Sequence, residues 1–125
     1  MKKILLVEDD AFLSDILSEK LRKEGFDIDF ATDGIEAVKK IEEISPSLVL
    51  LDIILPSIDG LEVLKRIRSH ENRVIQDLPV IMLSNLGQKE DSKKAFALGA
   101  NEYLVKANFT TEEIIEKINK QLNLQ

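Results

Sequence analysis

A chain of 125 residues, 44% hydrophobic and 32% charged, has the size and balance of a single domain that buries its own core and leaves little room for extended disorder. With no cysteine and one histidine it excludes a disulfide framework, a thiolate centre and a histidine-rich site, so any metal must rest on oxygen. The net charge of −6 and the pI near 4.9 argue against a surface for nucleic-acid phosphates, so no direct nucleic-acid partner is expected. The apolar run after Met1-Lys2-Lys3 stops at Val7, too short for a signal peptide, and no segment approaches the roughly 20 apolar residues of a membrane span. The cytoplasm is the expected compartment, with no membrane partner.

In chain order, residues 4–7 read as a strand followed by Glu8, Asp9 and Asp10. Phe12, Ile16, Leu17 and Leu21 then recur at helical spacing, and Gly25 is a natural stop. A weaker alternating run, 26–30, reads as the second strand, and Ile35, Val38 and Ile41 mark the second helix. Residues 48–51 are the third strand, directly followed by Asp52, and 61–67 are the third helix. The stretch 69–77 reads only as a connection. Residues 80–83 form the fourth strand, ending in Ser84, and 89–98 the fourth helix, with Gly99 as its stop. Residues 103–105 form the fifth strand, ending in Lys106, and a last helix at 111–122 is capped by Thr110 or Thr111.

Alternation of this kind, with a strand as apolar as Leu48-Val49-Leu50-Leu51, predicts an α/β fold: a doubly wound parallel sheet of five strands covered on both faces. No repeat or change of composition divides the chain, so one domain over 1–125 is expected. In such a sheet the ligand crevice opens at the carboxyl ends of the strands. There the chain places Glu8, Asp9, Asp10 and Asp52. The ordinary role of any one of them is to cap a helix, and Asp10 is assigned that role. Several acids pressed together, however, raise one another's pKa unless a cation neutralises them, and an all-oxygen cluster suits magnesium. Ser84 and Lys106 end the fourth and fifth strands; each alone could be a cap or a salt-bridge partner. Together they suit a phosphoryl group, for which an aspartate can be the nucleophile, and Asp52 is the candidate.

Four separated stretches carry a specific resemblance: Ile4-Leu5-Leu6-Val7-Glu8-Asp9-Asp10; Leu50-Leu51-Asp52-Ile53-Ile54-Leu55-Pro56 with Asp59-Gly60; Pro79-Val80-Ile81-Met82-Leu83-Ser84; and Gly99-Ala100-Asn101-Glu102-Tyr103-Leu104-Val105-Lys106. Over essentially its whole length the chain resembles the receiver domain of two-component response regulators, like the chemotaxis regulators. The resemblance implies the flavodoxin-like strand order 2-1-3-4-5. It implies Asp52 as phosphoacceptor, Asp9 and Asp52 as direct Mg2+ ligands, Ile54 as donor of a main-chain carbonyl, and Glu8 as a ligand through water. It implies Ser84 as the switch hydroxyl, Lys106 as the lysine that pairs with the phosphoryl oxygens, and Tyr103 as the aromatic that turns inward when Ser84 moves. The plain alternative for Tyr103 is a half-buried strand residue with its hydroxyl in water. The phosphodonor would be a histidine kinase or a histidine phosphotransfer protein, docking on Phe12, Leu13 and Ile16 of the first helix, although these residues equally fit core packing. The face of the fourth helix, fifth strand and last helix would control a downstream protein target, with the chain a monomer or weak dimer.

The sequence also departs from the family pattern. Ala107 follows Lys106 where the family usually has proline, so a trans peptide is expected there. Asn85 stands where a small residue is preferred, which would reshape access to the phosphoryl group. Ile54 and Leu86 are aliphatic at positions that could orient a hydrolytic water, which predicts slow hydrolysis of a phosphoryl-Asp52. Three functions compete. The first is a stand-alone receiver, favoured because the last helix lacks the arginines common in DNA-binding regulators; the second is a receiver cut from such a regulator or from a hybrid kinase. The third is a magnesium-dependent phosphohydrolase, which would want an acid where Ile54 stands.

Overall fold

The computed structural model describes residues 2–85 and 89–123. Its strands are β1 (Lys3–Val7), β2 (Asp27–Ala31), β3 (Leu48–Asp52), β4 (Val80–Ser84) and β5 (Glu102–Val105), interleaved with helices α1 (Ala11–Lys23), α2 (Gly34–Ile44), α3 (Gly60–Arg68), α4 (Arg73–Gln76), α5 (Lys89–Ala97) and α6 (Thr111–Gln121). A turn of 3-10 helix at Lys106–Asn108 follows β5. All neighbouring strands run parallel, in the order β2-β1-β3-β4-β5. This is the doubly wound α/β sheet that the alternation predicts, in the flavodoxin-like order that the resemblance implies.

Alternation along the strands divides the core in two. Leu5, Val7, Val49, Leu51 and Met82 pack with Ala37, Ile41, Val63, Leu64 and Ala95 beneath α2, α3 and α5. Ile4, Leu6, Leu48, Leu50 and Ile81 pack with Leu17, Leu21, Ile114 and Ile118 beneath α1 and α6. Every residue of β3 and of β4 is buried, which is why neither strand shows a polar face in the sequence. Helix ends follow local chemistry. Asp10 caps α1 by accepting from the Phe12 and Leu13 amides at 3.0 and 3.3 Å, and Thr110, not Thr111, closes a capping box with Glu113 at α6. Gly25 and Gly99 stop α1 and α5 with φ of +93° and +101°.

Two expectations need correction. The stretch 69–77 is more than a connection: the Asn72 side chain caps α4 and Ile75 is buried to 3% exposure, so one apolar residue plus a cap is enough to wind a turn that has no amphipathic repeat. Phe12 belongs to no core stripe; it is 75% exposed, because the buried face of α1 runs through Ser14, Leu17, Ser18 and Leu21. Among the described residues no helix is long and apolar enough to cross a membrane.

Candidate functional site

Parallel strands place all their carboxyl ends on one edge, and the acids the sequence hung there meet. Asp52 is the last residue of β3, Glu8 and Asp9 leave β1 beside it, and Lys106 follows β5. The Lys106 Nζ donates to both Glu8 oxygens, at 2.8 and 3.1 Å, and to Asp52 Oδ2 at 3.1 Å. The three side chains are nearly dry, 11%, 3% and 8% exposed for lysine, glutamate and aspartate respectively. Asp9 stays open to solvent, yet one of its carboxylate oxygens lies with one each from Glu8 and Asp52 in a group spanning at most 4.8 Å.

The electrostatics follow from this crowding. Burial, then the hydrogen bond and charge of Asp52, push the Glu8 carboxyl up to about 8 against the pull of Lys106. For Lys106, burial works to lower the pKa, but the hydrogen bonds to Glu8 and Asp52 outweigh it and the net shift is upward. Two carboxylates, Glu8 and Asp52, thus share one ammonium with Asp9 a third acid close by, and the Glu8 carboxyl is held above its ordinary range because positive charge is short. A hard divalent cation would relieve that imbalance, and the all-oxygen donor set fits magnesium. Beside the cluster opens a cavity of about 150 Å³, walled also by Asp10, Ile54 and Asn85. A small anion such as a phosphoryl group can enter it and meet Lys106.

The remaining predicted residues are placed as follows. Ile54 lies on the cavity wall, its side chain in a residue 60% exposed. Ser84 ends β4 but is buried to 1% exposure and does not line the cavity; its neighbour Asn85 does, at the position where the sequence predicts altered access. Tyr103 is half-buried and packs against the core beneath α2, α3 and α5. No peptide bond among the described residues is cis, so Lys106–Ala107 is trans as expected. Leu86 lies outside the described residues.

Sequence reasoning gave Gly60 no task, although the Asp59-Gly60 pair stood in a motif. A Cβ there would meet the main-chain oxygen of Asp52 at 2.0 Å, so only glycine lets α3 begin against the end of β3. Asp59 caps that helix by accepting from the Glu62 amide at 2.9 Å. An Asp-Gly pair recurs at Asp33-Gly34, and that repetition ahead of two helical stretches was the available signal.

The model of the response regulator receiver domain matches residues 4–119. The chain belongs to that family. The match covers all the converging side chains. Among curated relatives, the DNA-binding dual master transcriptional regulator RpaA of Synechocystis sp. is 38% identical over 122 residues, 98% of this chain and 49% of the relative. The CpxR homolog of Haemophilus influenzae, a transcriptional regulatory protein, is 42% identical over 118 residues, 94% of this chain and 49% of the relative. The chain therefore spans about half the length of the curated relatives it matches. Among solved structures, the receiver domain of sensor histidine kinase PA1611 from Pseudomonas aeruginosa superposes with a TM-score of 0.87 at 30% identity, covering 98% of both chains, and carries magnesium coordinated in its active-site cleft. Receivers bind Mg2+ at an acidic pocket, and the Glu8, Asp9 and Asp52 group is such a pocket.

Proposed function

We propose that this receiver, taken as one domain over 1–125, is a phosphorylation switch in which Asp52 accepts a phosphoryl group from a histidine kinase or histidine phosphotransfer protein. The observation that carries this reading is the buried Lys106 ammonium shared between Asp52 and Glu8 on the wall of the cavity. Asp9, Asp52 and the Ile54 main-chain carbonyl would hold Mg2+, with Glu8 acting through water. Bound there, the metal supplies charge neutralisation for the transferring group.

The chain's own residues would do the rest. An Asp52 carboxylate oxygen attacks phosphorus, the bond from phosphorus to the donor nitrogen breaks, and the imidazole leaves with that electron pair. Lys106 exchanges its carboxylate partners for phosphoryl oxygens. The Ser84 hydroxyl would donate to another of them, moving from its buried place, and Tyr103 would turn further into the space behind it. The face of α5, β5 and α6 would carry the change to a target. Phe12 and Ile16, 75% and 37% exposed on α1 beside the pocket, suit the docking of the phosphodonor. The names of the curated relatives favour a transcriptional output in a longer protein, while α6, with Lys117 and Lys120 but no arginine, favours a protein target met by a monomer or weak dimer.

The test is incubation with acetyl phosphate and magnesium, followed by intact mass and by amide spectra of the parent and of Asp52→Asn. Labelling of the parent with shifts at Ser84 and Tyr103, both absent in the variant, is the expected result. Equal labelling of both proteins rejects the assignment.

A further inference from the structure

The loop that joins β3 to α3, residues 53–59, brings Ile54 to the cavity wall, so its course decides where the Ile54 carbonyl stands. It is tied at both ends. Toward α3 the Gly60 amide donates to the Ile53 carbonyl at 2.6 Å. In its middle the ties come from the start of α2, which belongs to no part of the site described above. The Gly34 amide donates to the Pro56 carbonyl at 3.1 Å, and a Cβ on Gly34 would stand 2.1 Å from the Ile58 carbonyl oxygen, so the helix start presses directly on the loop.

Ser57 completes this contact. Its hydroxyl donates to Asp33 Oδ1 at 3.1 Å and accepts from the Ile35 amide at 3.1 Å. Asp33 is itself fixed, because the same oxygen accepts from the Glu36 amide at 2.8 Å while Glu36 Oε1 accepts from the Thr32 amide at 2.8 Å. The backbone of Ser57 takes φ +68°, the left-handed region that side chains with a Cβ enter at a cost. Ser57 is exposed and fills no core space, so packing does not account for a strained serine here. Strain of this kind persists where surrounding contacts over-determine it, and it gathers at functional sites.

We propose that Ser57 and Asp33 are positioning residues for the phosphoryl-transfer site, a latch from α2 that holds the 53–59 loop so that the Ile54 carbonyl keeps its place on the cavity wall. This rests on the metal-site reading proposed above and adds the residues that aim one ligand. Outer partners of metal ligands govern affinity without touching the metal. The latch also makes the start of α2, with Ile35 exposed beside it, mechanically continuous with the site.

Calorimetric titration of the full chain with magnesium, with melting temperatures measured alongside, tests the latch. Ser57→Ala weakens Mg2+ binding about tenfold. Its labelling by acetyl phosphate slows at low magnesium and recovers at saturating magnesium. Ser57→Gly suits the left-handed φ and melts no lower than Ser57→Ala, yet binds Mg2+ equally weakly. Asp33→Asn keeps both the helix cap and the acceptor and binds like the parent. If the two Ser57 variants bind Mg2+ as the parent does, whatever their melting temperatures, the latch is structural only and the proposal is overturned. Asp52→Asn, run in parallel, separates the two failures. Tight binding by that variant removes the metal site and the latch proposal together. Weak binding by it beside parent-like Ser57 variants removes the latch alone.

Discussion

Two lysine–carboxylate clusters in this molecule use the same chemistry and behave in opposite ways. At the carboxyl edge of the sheet Lys106 meets Glu8 and Asp52 at 2.8 and 3.1 Å, with all three side chains almost fully enclosed. On the outer strand β2, Lys40 meets Asp29 at 3.2 Å, with side chains 30% and 35% exposed. Asp29 has its pKa lowered, by the Phe30 amide first, with Lys40 and Lys3 adding to it against the opposing effect of burial. Glu8 is pushed up to about 8 by burial and Asp52. The difference is one of water and of number. Asp29 has Lys40 in contact, Lys3 nearby, an amide and solvent, so its charge is satisfied and has no reason to change partners. At the rim, Glu8 and Asp52 share one ammonium where little water reaches, so a cation gained or an anion brought in would compete directly with the bonds to Lys106. A poised site is an ion cluster left incomplete under burial.

The largest expected effect breaks the rim cluster at its shared member. Lys106→Met should slow acetyl phosphate labelling by about 10²-fold or more, because a charge donor aimed at the transferring group is lost from a dry site. Lys40→Met should leave the labelling rate unchanged. Equal rates for Lys106→Met and the parent would mean that the burial contrast has no functional content.

A second experiment sharpens the contrast through pH. In the unfolded chain Glu8 loses its proton near its ordinary 4.5, whereas in the folded, metal-free protein it keeps it to about 8. Across that interval the native state binds the extra proton, so the Glu8 contribution to stability is fully present below 4.5 and is lost as pH rises toward 8. The melting temperature of metal-free protein should decline over that window, and Glu8→Gln should flatten the decline. Added magnesium should raise the melting temperature most at the alkaline end, where its carboxylate ligands are already ionised. A parent profile that matches Glu8→Gln throughout would show that Glu8 titrates normally.

The same contrast explains what could be read from the sequence. Fully apolar strands such as 48–51 can exist only between two covered faces, so the parallel sheet was legible, and a parallel sheet fixes which acids converge. The convergence of Glu8, Asp9, Asp52 and Lys106 was therefore legible from their positions at or near the ends of strands. Contacts set by loops were not legible. Ser57, Asp33 and Gly60 act through main-chain positions and single hydrogen bonds, which leave no periodic trace. α4 escaped for the same reason, its burial resting on Ile75 alone. Ser84 was placed at a strand end, but its near-complete burial there was not legible, because a hydroxyl at the end of a strand reads equally as a helix cap open to solvent.

The smallest expected effect belongs to the outer pair. A double-mutant cycle on Asp29 and Lys40, with both replaced by alanine singly and together, should give a coupling of about 0.2–1 kcal/mol, the range for ion pairs in contact with water. Raising the salt concentration should shrink it, because solvent reaches both partners. Asp29 also contributes stability of the opposite pH sign from Glu8. Its pKa is lowered on folding, so its contribution is present above 3.8 and disappears as pH falls below that value. Acidification should therefore weaken the β2 pair while it relieves the rim cluster, and Asp29→Asn should remove the first effect and leave the second intact. A coupling as large and as salt-resistant as that of a buried pair would show that the edge strand is drier than its exposure implies. The distinction between a resting and a poised cluster would then have to rest on the surplus of carboxylates alone.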